Sequence, residues 1–109
     1  MKRIFLASPL HLTTEQKNAL ERMCLEVTKL GAVPIAPALY VPTFLDIEND
    51  ASKINQVITG LIEICQEYWY VGSADFYQIE IVLANQLGLH VVHLEPGVIR
   101  NDYRDYVTN

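Results

Sequence analysis

Hydrophobic residues recur along this chain with two different periods. Four short apolar runs, rich in β-branched and aromatic residues, have the length of buried strands. They are residues 2–7, 33–36, 67–71 and 89–94. Three longer segments place apolar residues three and four positions apart, which predicts amphipathic helices. They are residues 13–30, which open on a capping-box pattern, residues 54–65 and residues 76–87.

Strands that alternate with helices in this way predict a parallel sheet with right-handed crossovers. We therefore expect a single flavodoxin-like or Rossmann-like α/β domain with about four strands flanked by helices. Ligands of such sheets bind along the rim formed by the carboxyl ends of the strands. Glu80 follows the third strand within the first turns of a predicted helix, so its side chain should point toward that rim.

Composition narrows the class of protein. A chain of 109 residues fits one domain, which we place at residues 1–94, with a polar tail at residues 95–109. Half of the residues are hydrophobic, which excludes a disordered chain. A net charge of -5 without a basic face argues against duplex nucleic acid as a partner.

Compartment and redox state can also be predicted from the sequence. No apolar run reaches the roughly 18 residues of a membrane span, and the basic, apolar start of the chain fits a first strand better than a signal peptide. Cys24 and Cys65 each fall on an apolar helical stripe, as reduced core thiols do. We expect a cytoplasmic protein that does not contact a membrane.

Three segments resemble the nucleoside 2-deoxyribosyltransferase superfamily, in particular its short bacterial and phage branch. IFLASPL at residues 4–10 is similar to the opening strand of the family, Y-L-A-G-P-L. GAVPIAPALYVPTFLD at residues 31–46 is similar to G-x-x-P-I-A-P-H-L-Y-x-P-x-F-L-D of the short branch. EIVLANQLGLHV at residues 80–91 is in register with E-I-G-Y-A-x-A-L-G-K-P-V. The middle segment is the most specific of the three.

In this family the glutamate that matches Glu80 is the nucleophile. The resemblance implies that Glu80 attacks the anomeric carbon of a deoxyribosyl unit and releases the base. The resulting covalent glycosyl–enzyme intermediate then passes to another base or to water. The implied partner is a nucleoside, a nucleotide or a related small molecule. No cofactor is implied, and His11, His90 and His93 do not have the spacing of a metal site.

Several residues on or near the predicted rim are candidates for ligand contact. They are Ser8, Pro9, Pro37, Tyr40, Phe44, Ser73 and Tyr77. The two serines could bind a ribose or a phosphate, or only close turns. Tyr40 and Phe44 could pack against a base or form a small satellite core, and Pro37 could only shape its loop. His11 could contact a phosphate or be an ordinary surface histidine.

The chain departs from the family pattern where the family has its second acid. Ala74 stands at the position of the family aspartate or serine, and Gln66 replaces a second aspartate. Asp75 could supply the missing acid through a slip of one residue, or it could cap the following helix. Glu67 could also contribute an acid. Phe76 and Tyr77 replace a Gly-Met pair and should narrow the pocket.

Three functions are compatible with these features. The first is an N-glycosidic transferase or hydrolase with Glu80 as nucleophile and Asp75 as the acid. The second is a catalytically degenerate protein that sequesters or senses a nucleotide-derived ligand. The third is a protein-interaction module that uses the aromatic strand and the acidic surface. Glu80 could also be only a favourable charge near a helix N-terminus.

Self-association is expected from the high apolar content and from the resemblance. The resemblance suggests that the tail, with Arg100, Tyr103, Arg104 and Tyr106, reaches the pocket of a neighbouring subunit. Trp69 should lie in the core, unless its strand is at a sheet edge and forms a subunit contact.

Overall fold

Seven helices and strands follow one another in the predicted order within residues 1–94, which are the residues that the computed structural model describes. The strands are β1 (Arg3–Leu6), β2 (Val33–Ile35), β3 (Glu67–Val71) and β4 (His90–Leu94). The helices are α1 (Thr14–Lys29), α2 (Ala51–Glu63) and α3 (Gln78–Gln86). Two short 3-10 turns, Pro37–Leu39 and Val41–Thr43, follow β2. The predictions for the tail lie outside the described residues.

The four strands form one parallel sheet in the order β2-β1-β3-β4. Phe5 of β1 is in register with Ile35 of β2 and with Tyr68 of β3, and Tyr68 is in turn in register with Val91 of β4. The chain therefore moves outward from β1 to β2, returns to β3 beside β1, and continues to β4 on the other side. This strand order confirms the predicted flavodoxin-like fold. The switch point of the sheet, where the direction in which successive strands are added reverses, lies between β1 and β3.

The two faces of the sheet are covered by different helices. Leu20, Met23 and Val27 of α1 pack with Trp69 on one face. On the other face α2 and α3 cover the sheet through a cluster of buried side chains. That cluster is Phe5, Ile62, Cys65, Tyr68, Tyr70, Tyr77 and Ala84. Since β3 lies between β1 and β4 and Trp69 is buried, Trp69 belongs to the core and not to an edge contact.

The ends of two helices show how the local sequence sets the fold. Thr13 and Gln16 form the predicted capping box at the start of α1, because each side chain accepts a hydrogen bond from the backbone N–H of the other residue. The start of α3 differs from the prediction. The helix begins at Gln78, after turns at residues 74–77, and its N-cap residue is Tyr77 without a side-chain cap. Asp75 is therefore not the helix N-cap.

Cys24 is half-buried and Cys65 is buried, and both are free thiols. Burial raises the pKa of Cys24, and it raises the pKa of Cys65 to about 11. Both side chains therefore stay protonated at neutral pH and act as small apolar residues. None of the helices within residues 1–94 is long and apolar enough to cross a membrane.

Candidate functional site

The carboxyl ends of β1 and β3 are held together at the switch point of the sheet. The backbone N–H of Ala7 donates to the carbonyl of Trp69 at 2.9 Å, which continues the pairing of the two strands to the end of β1. Beyond that point the chains diverge. Pro9 lies in the β1–α1 loop, and Gly72 follows β3 with φ 93°, a conformation that favours glycine. The divergence of these two loops opens the space in which a ligand of this fold class binds.

A pocket of about 350 Å³ lies at this divergence, and we call it the strand-end pocket. The β1–α1 loop, α2 and the start of α3 each contribute to its wall. The residues that matter below are Ser8, Pro9, His11, Asn55, Ile58, Phe76, Tyr77 and Glu80. Four of the predicted site residues thus come together from two distant parts of the sequence, namely Ser8 and Pro9 from one part and Tyr77 and Glu80 from the other.

Glu80 is fixed at the pocket by a residue of the underlying strand. The hydroxyl of Tyr68 donates a hydrogen bond to Glu80 Oε1 at 2.6 Å, a short distance typical of a charge-assisted bond. Tyr68 is fully buried in β3, and its ring stacks on Phe5 with centroids 5.2 Å apart. Because the ring cannot move freely, the hydroxyl defines where the Glu80 carboxylate lies.

Burial shifts the protonation equilibria of both partners. The pKa of Glu80 is raised by burial, and the hydrogen bond from Tyr68 partly opposes that rise. The pKa of Tyr68 is raised by burial and by the nearby Glu80 charge, so the hydroxyl keeps its proton and remains a donor. A carboxylate with a raised pKa is a better nucleophile and base than an exposed one.

A second pocket of about 510 Å³, the helix groove, continues from the strand-end pocket between α2 and α3. Its walls include Asn55, Ile58, Phe76, Tyr77 and Glu80, which also line the strand-end pocket, so the two pockets meet at Glu80. A ligand beside Glu80 can therefore extend in two directions.

Asp75 lies on the helix-groove side of this meeting point. It is exposed, it lines the helix groove, and it is absent from the described lining of the strand-end pocket. Its backbone N–H donates to Ser73 Oγ at 3.2 Å, so the Ser73 side chain closes the turn before α3. This geometry matches the turn-closing alternative for Ser73.

Phe76 and Tyr77 occupy the space that a Gly-Met pair would leave open. Tyr77 is buried, and its ring packs against Tyr70 at 5.9 Å and against the edge of Phe76 at 4.8 Å. Burial, assisted by the charge of Glu80, raises the pKa of Tyr77 to about 12. Phe76 is 67% exposed and lines both pockets, so its ring is open to a ligand.

Three of the predicted ligand residues lie elsewhere. Pro37 is buried at the start of the first 3-10 turn, while the rings of Tyr40 and Phe44 stack on each other at 6.0 Å and are partly exposed. None of the three belongs to the described lining of the strand-end pocket or of the helix groove. All three follow β2, which is the outermost strand on the far side of β1.

Glu67 lies at the amino end of β3, whereas Glu80 lies beyond its carboxyl end. The Glu67 carboxylate is buried, pairs with Lys2 Nζ at 2.6 Å and accepts from Trp69 Nε1 at 2.7 Å. Glu67 therefore stabilises the start of the sheet and takes no part in the strand-end pocket.

Sequence reasoning did not identify Tyr68 and Asn55 as site residues. Tyr68 lies within an apolar strand pattern, and only its alternation with Trp69 indicates which face it occupies. Asn55 is a polar residue next to the apolar stripe of α2, which by itself resembles an ordinary surface position. In the structure Tyr68 donates a hydrogen bond to Glu80, and Asn55 lines both pockets together with Glu80.

Comparison with known proteins supports the fold and a family assignment. A family model described as a domain of unknown function, DUF7768, matches residues 2–94, so the chain belongs to that family. A 2-deoxyribosyltransferase from the psychrotolerant bacterium Bacillus psychrosaccharolyticus has a similar structure, with a TM-score of 0.67 and 17% identity. The match covers 86% of this chain and 72% of that one. No curated protein sequence matches significantly. The predicted resemblance is thus confirmed at the level of the fold.

Proposed function

We propose that this member of the DUF7768 family binds a nucleoside or nucleotide at the strand-end pocket and cleaves or transfers its N-glycosidic bond. The observation that carries the proposal is the 2.6 Å hydrogen bond by which Tyr68 holds the carboxylate of Glu80 at that pocket. The structural similarity to a 2-deoxyribosyltransferase supports the substrate class. Glu80 is also the residue that falls in register with the nucleophile of that superfamily.

In this mechanism the Glu80 carboxylate attacks the anomeric carbon as the bond to the base breaks. The product of the first step is a glycosyl ester on Glu80, which water or a second base then displaces. Tyr68 orients the carboxylate and favours its charged form, while burial keeps it reactive. Ile58 and Phe76 give the pocket an apolar wall suited to the flat face of a base.

The departing base also needs a proton. Asp75, proposed from the family pattern, lines the helix groove next to Glu80 and could reach a base placed on that side. Ser8 and Pro9 would contact the ligand on the opposite side, at the end of β1.

The test is mass spectrometry of the purified protein after incubation with a mixed pool of nucleosides, deoxynucleosides and their monophosphates. We expect wild type to release a free base and Glu80→Gln to release none. Glu21→Gln, an exposed glutamate of α1 on the other face of the sheet, is the matched control and should behave as wild type. Equal base release by wild type and Glu80→Gln would refute the nucleophile role.

A second candidate function is nucleotide binding without turnover. It is favoured by the observation that Glu80 is the only carboxylate in the described lining of the strand-end pocket. A protein of this kind would retain a ligand in native mass spectrometry and release no base. The retained ligand would then be similar in wild type and Glu80→Gln.

Self-association through α3 fits the predicted homo-oligomer. Ile79, Val82 and Leu87 of this helix region are 87%, 49% and 45% exposed. Apolar side chains exposed this strongly are typical of protein contact surfaces. Light scattering of wild type and Ile79→Glu tests this, and we expect a larger assembly for wild type and a smaller one for the variant.

A further inference from the structure

His11 shares the strand-end pocket with Glu80. It lies on the short loop between β1 and α1, while Glu80 approaches from α3. The pocket they line together has a volume of about 350 Å³, so both side chains border a space about as large as one nucleoside-sized ligand requires. From this placement we infer that His11 donates the proton to the base that leaves when Glu80 attacks. The inference rests on the proposed function and assigns one of its steps.

The described lining of the strand-end pocket contains few groups that can transfer a proton. They are Glu80, His11 and Tyr77. Glu80 must be ionised to act as nucleophile, so it cannot supply the proton in the same step. Tyr77, whose pKa is raised to about 12, is a weak acid at neutral pH. Histidine is the side chain that ordinarily gives and takes protons near neutral pH. His11 is therefore the donor that the pocket offers.

The loop that carries His11 is fixed on both sides. Leu10 and Leu12, its two neighbours, both pack against the core under α1. The capping box of Thr13 then starts the helix immediately afterward. His11 itself is exposed between these two anchors. The two packed leucines fix the backbone of His11 beside the pocket, and its exposed imidazole is not needed for packing.

The two candidate proton donors, His11 and Asp75, lie on different sides of Glu80. His11 lines the strand-end pocket, and Asp75 lines the helix groove on the other side of Glu80. A base can occupy one side only. The strand-end pocket lies at the switch point of the sheet, where ligands of this fold class bind, and its wall includes the exposed ring of Phe76. We place the base there, beside His11.

Atoms and charges balance in both steps of the reaction. Glu80 forms an ester bond to the anomeric carbon, the bond between that carbon and the base nitrogen breaks, and its electron pair stays on the base. The imidazolium of His11 gives its proton to the base and becomes neutral. In the second step the neutral imidazole removes a proton from water, or from an incoming base, as that molecule displaces Glu80 from the sugar.

The experiment compares two substrates that differ in their need for a proton. The base of 2′-deoxyadenosine must be protonated as it leaves, whereas 7-methyl-2′-deoxyguanosine already carries a positive charge on its base and leaves neutral without a proton. Base release from each is followed by liquid chromatography for wild type, His11→Gln, Asp75→Asn and the control His90→Gln. His90 is also an exposed histidine, but it lies at the amino end of β4, away from the pocket.

We expect His11→Gln to lose about 10²- to 10⁴-fold in rate on 2′-deoxyadenosine, the usual contribution of a general acid, and less than about tenfold on the methylated substrate. His90→Gln should match wild type on both. The ratio of the two rates does not depend on how much of the variant is folded, so a folding defect cannot imitate the expected result.

Two outcomes would overturn only the assignment of His11 as the proton donor and would not affect the role of Glu80. One is base release by wild type with no selective loss in His11→Gln, and the other is a selective loss in Asp75→Asn in its place. If wild type releases no base from either substrate or from the mixed pool, the proposed function falls and the assignment falls with it. The first two results thus leave the nucleophile Glu80 standing and the third does not.

Discussion

Replacing Tyr68 by Phe isolates the hydrogen bond that holds Glu80. The substitution removes one hydroxyl from a side chain that is fully buried, and the ring remains to stack on Phe5 at 5.2 Å. Packing therefore changes little, and the main loss is the bond to Glu80 Oε1 at 2.6 Å. The stability of the variant then measures what this bond contributes.

The size of the effect depends on the charge of the acceptor. A hydrogen bond to a charged group contributes about 1.5–3 kcal/mol to stability, and a neutral one contributes about 0.5–1.5 kcal/mol. Tyr68→Phe should therefore lower the free energy of unfolding more in the presence of Glu80 than in Glu80→Gln, where the acceptor is a neutral amide. In a domain of this size each kcal/mol corresponds to about 4–8 °C in the unfolding midpoint, so the difference is measurable.

The assay is urea unfolding followed by circular dichroism for wild type, both single variants and the double variant. At pH 7 we expect the cost of Tyr68→Phe to be at least about 1 kcal/mol larger with Glu80 than with Gln at position 80. As the pH falls through the raised pKa of Glu80, the carboxylate is protonated and the two costs should converge. Equal costs in both backgrounds at pH 7 would show that Tyr68 does not hold a charged carboxylate, and the proposed site would lose its central contact.

Three further predictions follow from the described contacts. The pKa of Glu80 is raised above its ordinary 4.5 in the folded state, so the folded protein holds this proton more tightly than the unfolded chain does, and wild-type stability falls as the pH rises from 4.5 through the raised pKa. Glu80→Gln carries no charge at this position and should unfold at a higher temperature than wild type at pH 7. Thermal melts should show this difference closing as the pH is lowered toward 4. Gly88 has φ 81°, which strains any residue with a Cβ even though the space around it is open, so Gly88→Ala should lower the free energy of unfolding in urea by about 1–2 kcal/mol. Gly60 lies within α2 with open space around it, so Gly60→Ala should raise the free energy of unfolding by about 0.5–1 kcal/mol. Glu67→Gln removes the ion pair between the buried Glu67 carboxylate and Lys2, whose side chain is 43% exposed, so it should cost about 1 kcal/mol, while base release per folded molecule stays at the wild-type rate.

The fold follows closely from local patterns in the sequence. Each strand was recognisable as a short apolar run, and β3 begins and ends where the pattern predicts, at Glu67 and Val71. The start of α3 was harder to predict, because Phe76 and Tyr77 continue the helical spacing of apolar residues although they lie in turns. Periodicity identifies which residues face a core, and it does not distinguish the first turn of a helix from the turns that precede it.

Only those site residues that follow a central strand could be predicted from the sequence. Ser8 and Glu80 each follow a strand, so their common position at the rim could be derived from the fold class. Tyr40 and Phe44 also follow a strand, but β2 is outermost on the far side of β1, and the order of strands in the sheet is a tertiary property. The contact between Tyr68 and Glu80 likewise depends on how α3 crosses β3, which no local pattern encodes.

The contrast between the two glutamates is itself an argument for function. Glu67 is buried and is paired with a cation, Lys2 Nζ at 2.6 Å, as a carboxylate that serves the fold should be. Glu80 is half-buried, and its hydrogen-bond partner within residues 1–94 is a neutral hydroxyl, which compensates only part of the cost of burying the charge, so burial raises the pKa of Glu80. A fold that needed only stability would gain by replacing Glu80 with a neutral residue of the same shape. Glu80 instead lies at the edge of a pocket, where a buried tyrosine orients its carboxylate. This placement is explained if the pocket uses the reactivity of that carboxylate.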